Sequence, residues 1–432
     1  MKKLLIILIL SVFFNTNILA VTLEEALLEA YNNNLELNAE RKNIEVSKEI
    51  LKISKSDFFP TLTITGSKNF ENTNKLTNQS GGDASIDDVD TLSQSVKIEQ
   101  TLYDGLGRNA KLEKNELGLN LAEAKLVKTE QEILFKAIEA YTGLILTKEK
   151  FEINKKNVSL LERQYQIDNA RLERGQITLS DLAQSKSSLA GAQAKFIEAQ
   201  NNTIISKLVY ENIIGLIKND EKLKKVYNSN SALPVSLNEA IEISKKNSPE
   251  LIIAKIEYGQ SELDVKIARS DLLPSATLSL ERSYSENFSA TYDEREKDTL
   301  QAIVSWPFQF GGKNRSEVNK NLSVKGRKRL LLDGVQKTNT QIVTSAWSTF
   351  LSSESFLKAI QVQVKAAEIA NEGITFEYEN GLERSIFDVI QSNSFLLNAR
   401  TSLADSERKY VLAQYDLLKS IGFLTSDYLK IK

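Results

Sequence analysis

The 432-residue chain has no cysteine and no histidine, only five prolines and a single methionine. Without cysteine there is no disulfide, no thiol chemistry and no lipid-modified N-terminal Cys. Without histidine the commonest general base and transition-metal ligand is missing. A Gly-rich phosphate loop and a nucleophile elbow are also absent, and the Asp and Glu residues are scattered as on a solvated helical face. No enzyme, cofactor or metal site is expected. Past the first twenty residues no apolar run approaches the roughly 20 residues of a membrane-spanning helix. The formal charge is −2. This mild acidity gives no sign of nucleic-acid binding or of a polybasic membrane patch.

What is present begins with an export signal. Lys2 and Lys3 precede an apolar run from Leu4 to Phe14, and Asn15–Asn17 break it before Ile18-Leu19-Ala20. That layout is a secretory signal peptide with cleavage after Ala20, although Ile18 is a poor fit to the cleavage motif. Removing it takes the charge to −4, because only Lys2 and Lys3 are lost and no acid with them.

The remainder is a tandem duplication. Val21-Thr22-Leu23-Glu24-Glu25-Ala26-Leu27 is answered by Val235-Ser236-Leu237-Asn238-Glu239-Ala240-Ile241, at an offset of 214 residues. The same offset carries Lys55-Ser56-Asp57-Phe58-Phe59-Pro60 onto Arg269-Ser270-Asp271-Leu272-Leu273-Pro274. Such a repeat has to be read before any fold is named.

Proline placement says what each copy contains. The prolines are Pro60, Pro234, Pro249, Pro274 and Pro307, leaving long tracts in which helices need not break. In the first tract Ile133, Ala137, Ala140, Tyr141, Leu144 and Phe151 recur at helical steps, and Leu182, Leu189, Ala192, Phe196 and Ala199 resume after Gly175. Val389, Leu396, Ala399 and Leu403 repeat the pattern in the second copy. These heptad-like faces predict one long helical hairpin per copy, with a first arm of roughly 100 Å at 1.5 Å per residue.

Ahead of each hairpin the period changes to two. Thr61–Thr65, Val96–Glu99, Ala276–Glu281 and the segment Leu300–Trp306 alternate apolar and polar residues. They predict four strands of about ten residues, suited either to a membrane barrel or to a half-buried soluble sheet. The polar segments 71–92 and 285–295 are expected as exposed hairpin tips. Four strands cannot close a barrel, and an open sheet would leave unpaired backbone groups in lipid. Strands in a membrane therefore require other subunits.

Over essentially the whole mature chain this plan resembles the TolC-like outer-membrane factor family. The likeness rests on the duplication, the strand-to-helix turns Leu102-Tyr103-Asp104-Gly105 and Trp306-Pro307-Phe308-Gln309-Phe310-Gly311-Gly312, and the two hairpin tips. The first turn departs from the family pattern, with Thr101 in place of Pro and a spaced Gly105 and Gly107. The resemblance implies a mixed α and β membrane protein in which three protomers complete a twelve-stranded β-barrel above a long antiparallel α-helical periplasmic tunnel. It also implies a homotrimer in contact with outer-membrane lipid. Its expected partners are a periplasmic adaptor and an inner-membrane pump or ABC exporter, and drug efflux and type I protein secretion both stay open.

On this basis the expected segments are a signal peptide (1–20), a first helix (21–56), a strand pair (57–104), a long hairpin (105–216) and a linker (217–234). The second copy follows as a short helix (235–270), strand pair (271–310), hairpin (311–422) and tail (423–432). At the tips, Thr178-x-x-Asp181 and Ser385-x-x-Asp388 follow Gly175 and Gly381 and read as capping boxes. The family resemblance adds a second role. Asp181 and Asp388 become pore-gate candidates with Arg384 as basic partner, and Gln391 stands where relatives often carry a second acid. Arg174, Gly175, Leu179, Gly381 and Leu382 resemble an adaptor-contact surface, against a reading as turn residues only. Tyr103, Trp306 and Phe308 are candidate interfacial aromatics, with core packing the alternative for Phe308. The rival to a channel is a secreted coiled-coil structural or adhesion protein.

Overall fold

The computed structural model describes residues 21–431 except 73–76, 78–79, 82–89, 218–222, 228, 230–231, 290–291 and 383. The signal peptide and much of the 71–92 loop lie outside the described residues. The two copies have matched elements. The first runs α1 (Leu23–Asn33), α2 (Leu35–Ser56), β1 (Thr61–Phe70), β2 (Asp90–Asp104), α3 (Gly107–Glu173) and α4 (Leu179–Ile213). The second runs α5 (Leu237–Asn247), α6 (Pro249–Ser270), β3 (Ser275–Ser289), β4 (Tyr292–Ser305), α7 (Lys313–Glu379) and α8 (Ile386–Ser420). Helices α3 and α7 are both 67 residues long, and α4 and α8 both 35.

Three expectations need correction. The single helix expected in 21–56, and again in 235–270, is two helices. Asn34 ends α1 and its side chain accepts the Leu37 amide at 3.0 Å, restarting the chain as α2. In the second copy Ser248 ends α5 and Pro249 opens α6, where its missing N–H costs nothing. β1 has the expected ten residues, but β2, β3 and β4 are longer and span 15, 15 and 14. Most of 285–295, read as a loop, therefore belongs to β3 and β4. The sequence there is mostly Ser, Asn, Asp and Glu, with Phe288 and Tyr292 among them, which weakens the alternation signal while the backbone pairing continues.

By contacts the chain forms two compact units, with α3 and α7 each contributing to both. Among the described residues, one unit spans 21–38, 127–248 and 339–431. Its core packs Leu134, Ala137, Ile138, Tyr141 and Leu144 of α3 with Leu27 and Ala30 of α1, Val343 of α7 and Leu417 and Leu418 of α8. Tyr141 is fully buried, and its hydroxyl lies 2.8 Å from the carbonyls of both Val21 and Lys224. Burial raises its pKa. The heptad residues Ile133, Ala140, Ala192, Ala199, Val389, Leu396 and Ala399 are buried, and Phe151 meets Phe196 at 5.1 Å between ring centres.

The other unit comprises 39–126 and 249–338. It holds an antiparallel sheet of order β1-β2-β3-β4, with α2 and α6 entering it and α3 and α7 leaving it. All four strand–helix junctions consequently lie at one end of the sheet. Helices pair beside it through Lys111–Asp57 (3.0 Å), Lys114–Asp264 (2.6 Å) and Lys328–Glu257 (2.7 Å).

Candidate functional site

Two regions carry the chemistry: the faces of the sheet and the tips of the long hairpins. In the sheet, register aligns Leu62, Ile98, Leu280 and Leu300 in one cross-strand row, flanked by Gln100, Leu278 and Ala302 on one side. The row on the other side is Ile64, Val96, Arg282 and Asp298. The opposite face aligns Thr61, Glu99, Ser279 and Gln301, then Thr63, Lys97, Glu281 and Thr299. One face is thus apolar and exposed, with Leu62, Ile98, Leu280 and Leu300 all more than two-fifths accessible. The other is polar and carries the Lys97–Glu99 ion pair. A soluble half-buried sheet would cover its apolar face, whereas a membrane barrel turns that face to lipid and the polar one to a lumen. Along β4 the apolar band is bounded by Trp306 and Asp298. Eight residues of tilted strand rise about 20 Å, comparable to the apolar band of outer-membrane barrels.

At the junction end Trp306 is 56% exposed, meets the tilted Phe308 ring at 4.9 Å between ring centres and donates from Nε1 to the Leu272 carbonyl at 3.1 Å. Phe308 is 68% exposed, so it does not pack in a core within the chain. Tyr103 is also exposed and follows a β-bulge at Leu102 that brings it opposite Ala276. Glycine at position 105 of the first turn has a local reason. A Cβ on Gly105 would stand 2.7 Å from the Ser270 carbonyl, and Gly105 adopts φ +69°, so only glycine passes there.

The tips are built alike. Gly175 (φ +69°) and Gly381 (φ +74°) close the ends of α3 and α7. Their amides donate to Leu172 and Tyr378, while the amides of Gln176 and Leu382 donate to Arg171 and Glu377. This paired arrangement is a Schellman motif. Thr178 and Ser385 then cap the returning helices. The Asp181 carboxylate accepts the Thr178 amide at 2.9 Å and its hydroxyl at 2.8 Å, and Asp388 accepts the same pair from Ser385 at 2.9 and 2.8 Å. Those amide bonds, then the hydroxyls, hold both carboxyls below the ordinary carboxylate range. Arg384 donates to Glu377 at 2.6 Å rather than pairing directly with Asp388. Arg174, Leu179, Leu382 and Gln391 are exposed. Arg174, Asp181, Gly381, Leu382 and Arg384 line one groove of about 770 Å³ between the two tips, while Gly175, Leu179, Asp388 and Gln391 lie outside its lining.

A polar cluster missing from the sequence reading ties the tips together. Asp168 of α3 is fully buried and accepts from Ser185 of α4 (2.6 Å), Gln164 of α3 (2.9 Å) and the Tyr378 hydroxyl of α7 (3.0 Å). Arg171 lies over the Tyr378 ring at 4.4 Å and reaches the Tyr378 and Glu379 carbonyls. Burial, then the Asp168 charge, raises the Tyr378 pKa. A signal was available: Leu161, Gln164 and Asp168 follow heptad spacing, so two polar residues occupy positions expected to be apolar.

A repeated unit whose two-faced strands run directly into long helical hairpins defines the class of barrel-and-helix channel protomers. The sequence matches the profile of the outer membrane efflux protein family over residues 26–215 and 240–423, and the chain belongs to that family. It is 26% identical to the outer membrane efflux protein BepC of Brucella suis over 96% of this chain and 88% of that one. It is 20% identical to the outer membrane protein TolC of Escherichia coli over 98% and 87%. The solved CmeC outer membrane channel of Campylobacter jejuni superposes with a TM-score of 0.83 at 17% identity, covering 93% of this chain and 86% of that one. That last likeness shows a shared fold. Family membership makes this an outer-membrane efflux protein.

Proposed function

We propose that three copies of this chain close a twelve-stranded barrel in the outer membrane and conduct substrates passively through a periplasmic helical tunnel. The observation that carries this is the sheet itself: four strands in sequence order, an exposed apolar face, and outer edges of β1 and β4 that pair with no strand among the described residues. Lipid tolerates no open edge, because each unsatisfied backbone group there costs several kcal/mol. Pairing β4 of one copy with β1 of the next removes both edges. The nine-segment division drawn from the sequence serves this reading, with strand pairs for the barrel and hairpins for the tunnel.

Energy comes from partners in this reading, an inner-membrane pump or ABC exporter joined through a periplasmic adaptor in tripartite efflux or type I secretion. The adaptor meets the tips at Arg174, Gly175, Leu179, Gly381 and Leu382. Asp181 and Asp388 line the constriction as rings of three carboxylates that favour cations. Arg384 moderates that charge, and Gln391 adds none. The chain acts as a conduit and not as an enzyme.

Conductance of detergent-extracted protein across a planar bilayer tests the proposal. Discrete channels whose cation preference falls in Asp181→Ala or Asp388→Ala support both conduit and ring. Channels of unchanged selectivity retain the conduit and reduce these residues to capping. Protein that is soluble without detergent and never conducts would leave a secreted coiled-coil stalk.

A further inference from the structure

The basic run Arg327-Lys328-Arg329 lies within α7, and folding gathers six further bases at one end of the sheet. Lys55 ends α2, Arg108 and Lys111 open α3, Arg269 ends α6, and Lys313 and Arg315 open α7. The same junction segments contain only three acids, Asp57, Asp104 and Asp271. Two of the three are already used, since Asp104 meets Arg108 at 3.3 Å and Asp57 meets Lys111 at 3.0 Å. Lys55, Arg269, Lys313 and Arg315 are exposed and have no salt-bridge partner among the described residues.

Their placement has a physical oddity. A helix start favours acids and disfavours cations. Helices α1, α2, α4, α5, α6 and α8 each carry an acid in the first turn, whereas α3 and α7 carry none and have bases there. The dipole favours Lys55 and Arg269 at the ends of α2 and α6, but helix stability does not explain the bases that open α3 and α7. The surface beside them is apolar, with Phe59, Trp306, Phe308 and Phe310 more than half exposed. The opposite end of the sheet has the reverse sign. There Asp90, Glu281, Glu286, Asp293, Glu294, Glu296 and Asp298 outnumber Lys68, Lys97, Arg282, Arg295 and Lys297.

We propose that this belt seats the anionic headgroups of phospholipids in the periplasmic leaflet, with Lys55, Arg269, Lys313 and Arg315 binding phosphate and the aromatic rings packing on the acyl-chain boundary. The inference rests on the outer-membrane reading above and deepens it by naming the lipid chemistry. Aromatic rings fix the depth of the interface, and the bases lie beyond them at the headgroup level, where each adds electrostatic attraction to an anionic surface. The opposed charge of the two sheet ends also orients the barrel, placing the basic end in the phospholipid leaflet.

Trp306 supplies the reporter, because the chain has only two tryptophans. The full-length protein carrying Trp347→Phe is reconstituted in phosphatidylcholine vesicles containing brominated phosphatidylglycerol or brominated phosphatidylcholine, and Trp306 quenching is compared. The expected result is a preference for phosphatidylglycerol on the order of fivefold. It falls towards unity when Lys55, Arg269, Lys313 and Arg315 are all changed to Gln, and survives exchange of Lys for Arg and Arg for Lys at the same positions. Equal quenching by the two lipids in the parent protein, or a preference that persists in the Gln variant, overturns the proposal while leaving the membrane reading intact. Absence of quenching by either lipid overturns both.

Discussion

Replacing Asp168 with Ala removes the acceptor shared by three donors from three helices. Ser185 is 1%, Tyr378 6% and Gln164 8% exposed, so water does not freely take the place of the carboxylate. A buried donor left unsatisfied costs about 1–3 kcal/mol. Three such groups, relieved in part by rearrangement, amount to about 3 kcal/mol of local stability at the tip. Because 1.36 kcal/mol is a factor of ten, backbone amides that exchange through opening of the tip should exchange about a hundredfold faster. Hydrogen exchange read by mass spectrometry resolves this peptide by peptide. Acceleration is expected in peptides containing Leu172, Ser185 and Tyr378 and not in those around the buried Tyr141. Asp168→Asn keeps one carbonyl oxygen, and the Ser185 hydroxyl can reverse to accept from the new amide, so about a tenfold change is expected there. An Asp168→Ala change below about fivefold, or one spread evenly to the Tyr141 peptides, would refute the idea that this carboxylate holds α7 against the α3–α4 hairpin.

Three further outcomes follow from the same geometry. The Asp181 and Asp388 carboxyls are held low by the capping amides, so their folded pKa lies below the unfolded value. Their stabilisation is complete above roughly pH 4 and is lost as pH falls through the lower folded value; tip exchange, corrected for its intrinsic pH dependence, should rise only in that acid range, and a transition near neutrality would contradict the assignment. Leu280→Arg places a cation on the apolar face and should destabilise the inserted barrel by about 2–4 kcal/mol, whereas Ser279→Arg on the polar face should change urea stability in vesicles by well under half of that. Gly422 adopts φ +85°, and a Cβ there would collide with the Asn247 backbone; Gly422→Ala should lower the thermal midpoint, and an unchanged midpoint would show that the α8 end yields.

The capping residues were legible because a capping box is local: Thr178, Ser385, Asp181 and Asp388 meet within one turn of chain. The four strands were legible wherever one face is apolar, and their extensions through 285–295 were lost because polar residues dominate there and period two carries little signal in such a segment. The breaks at Asn34 and Ser248 carry local signals, the Asn32-Asn33-Asn34 run and Pro249, which a reading of each segment as one helix passes over.

By itself the sequence determined the duplicated plan, the long Pro-free helices and the tip turns, all set by dihedral preference, periodicity and contacts within a few residues. The tertiary structure decided what depends on distant residues meeting. Asp168 reaches Tyr378 across 210 positions, and register joins Leu62, Ile98, Leu280 and Leu300 into one lipid-facing row. It also gathers Lys55, Arg269, Lys313 and Arg315, scattered singly along the chain, into one basic belt, because antiparallel strands bring all four helix junctions to the same end of the sheet.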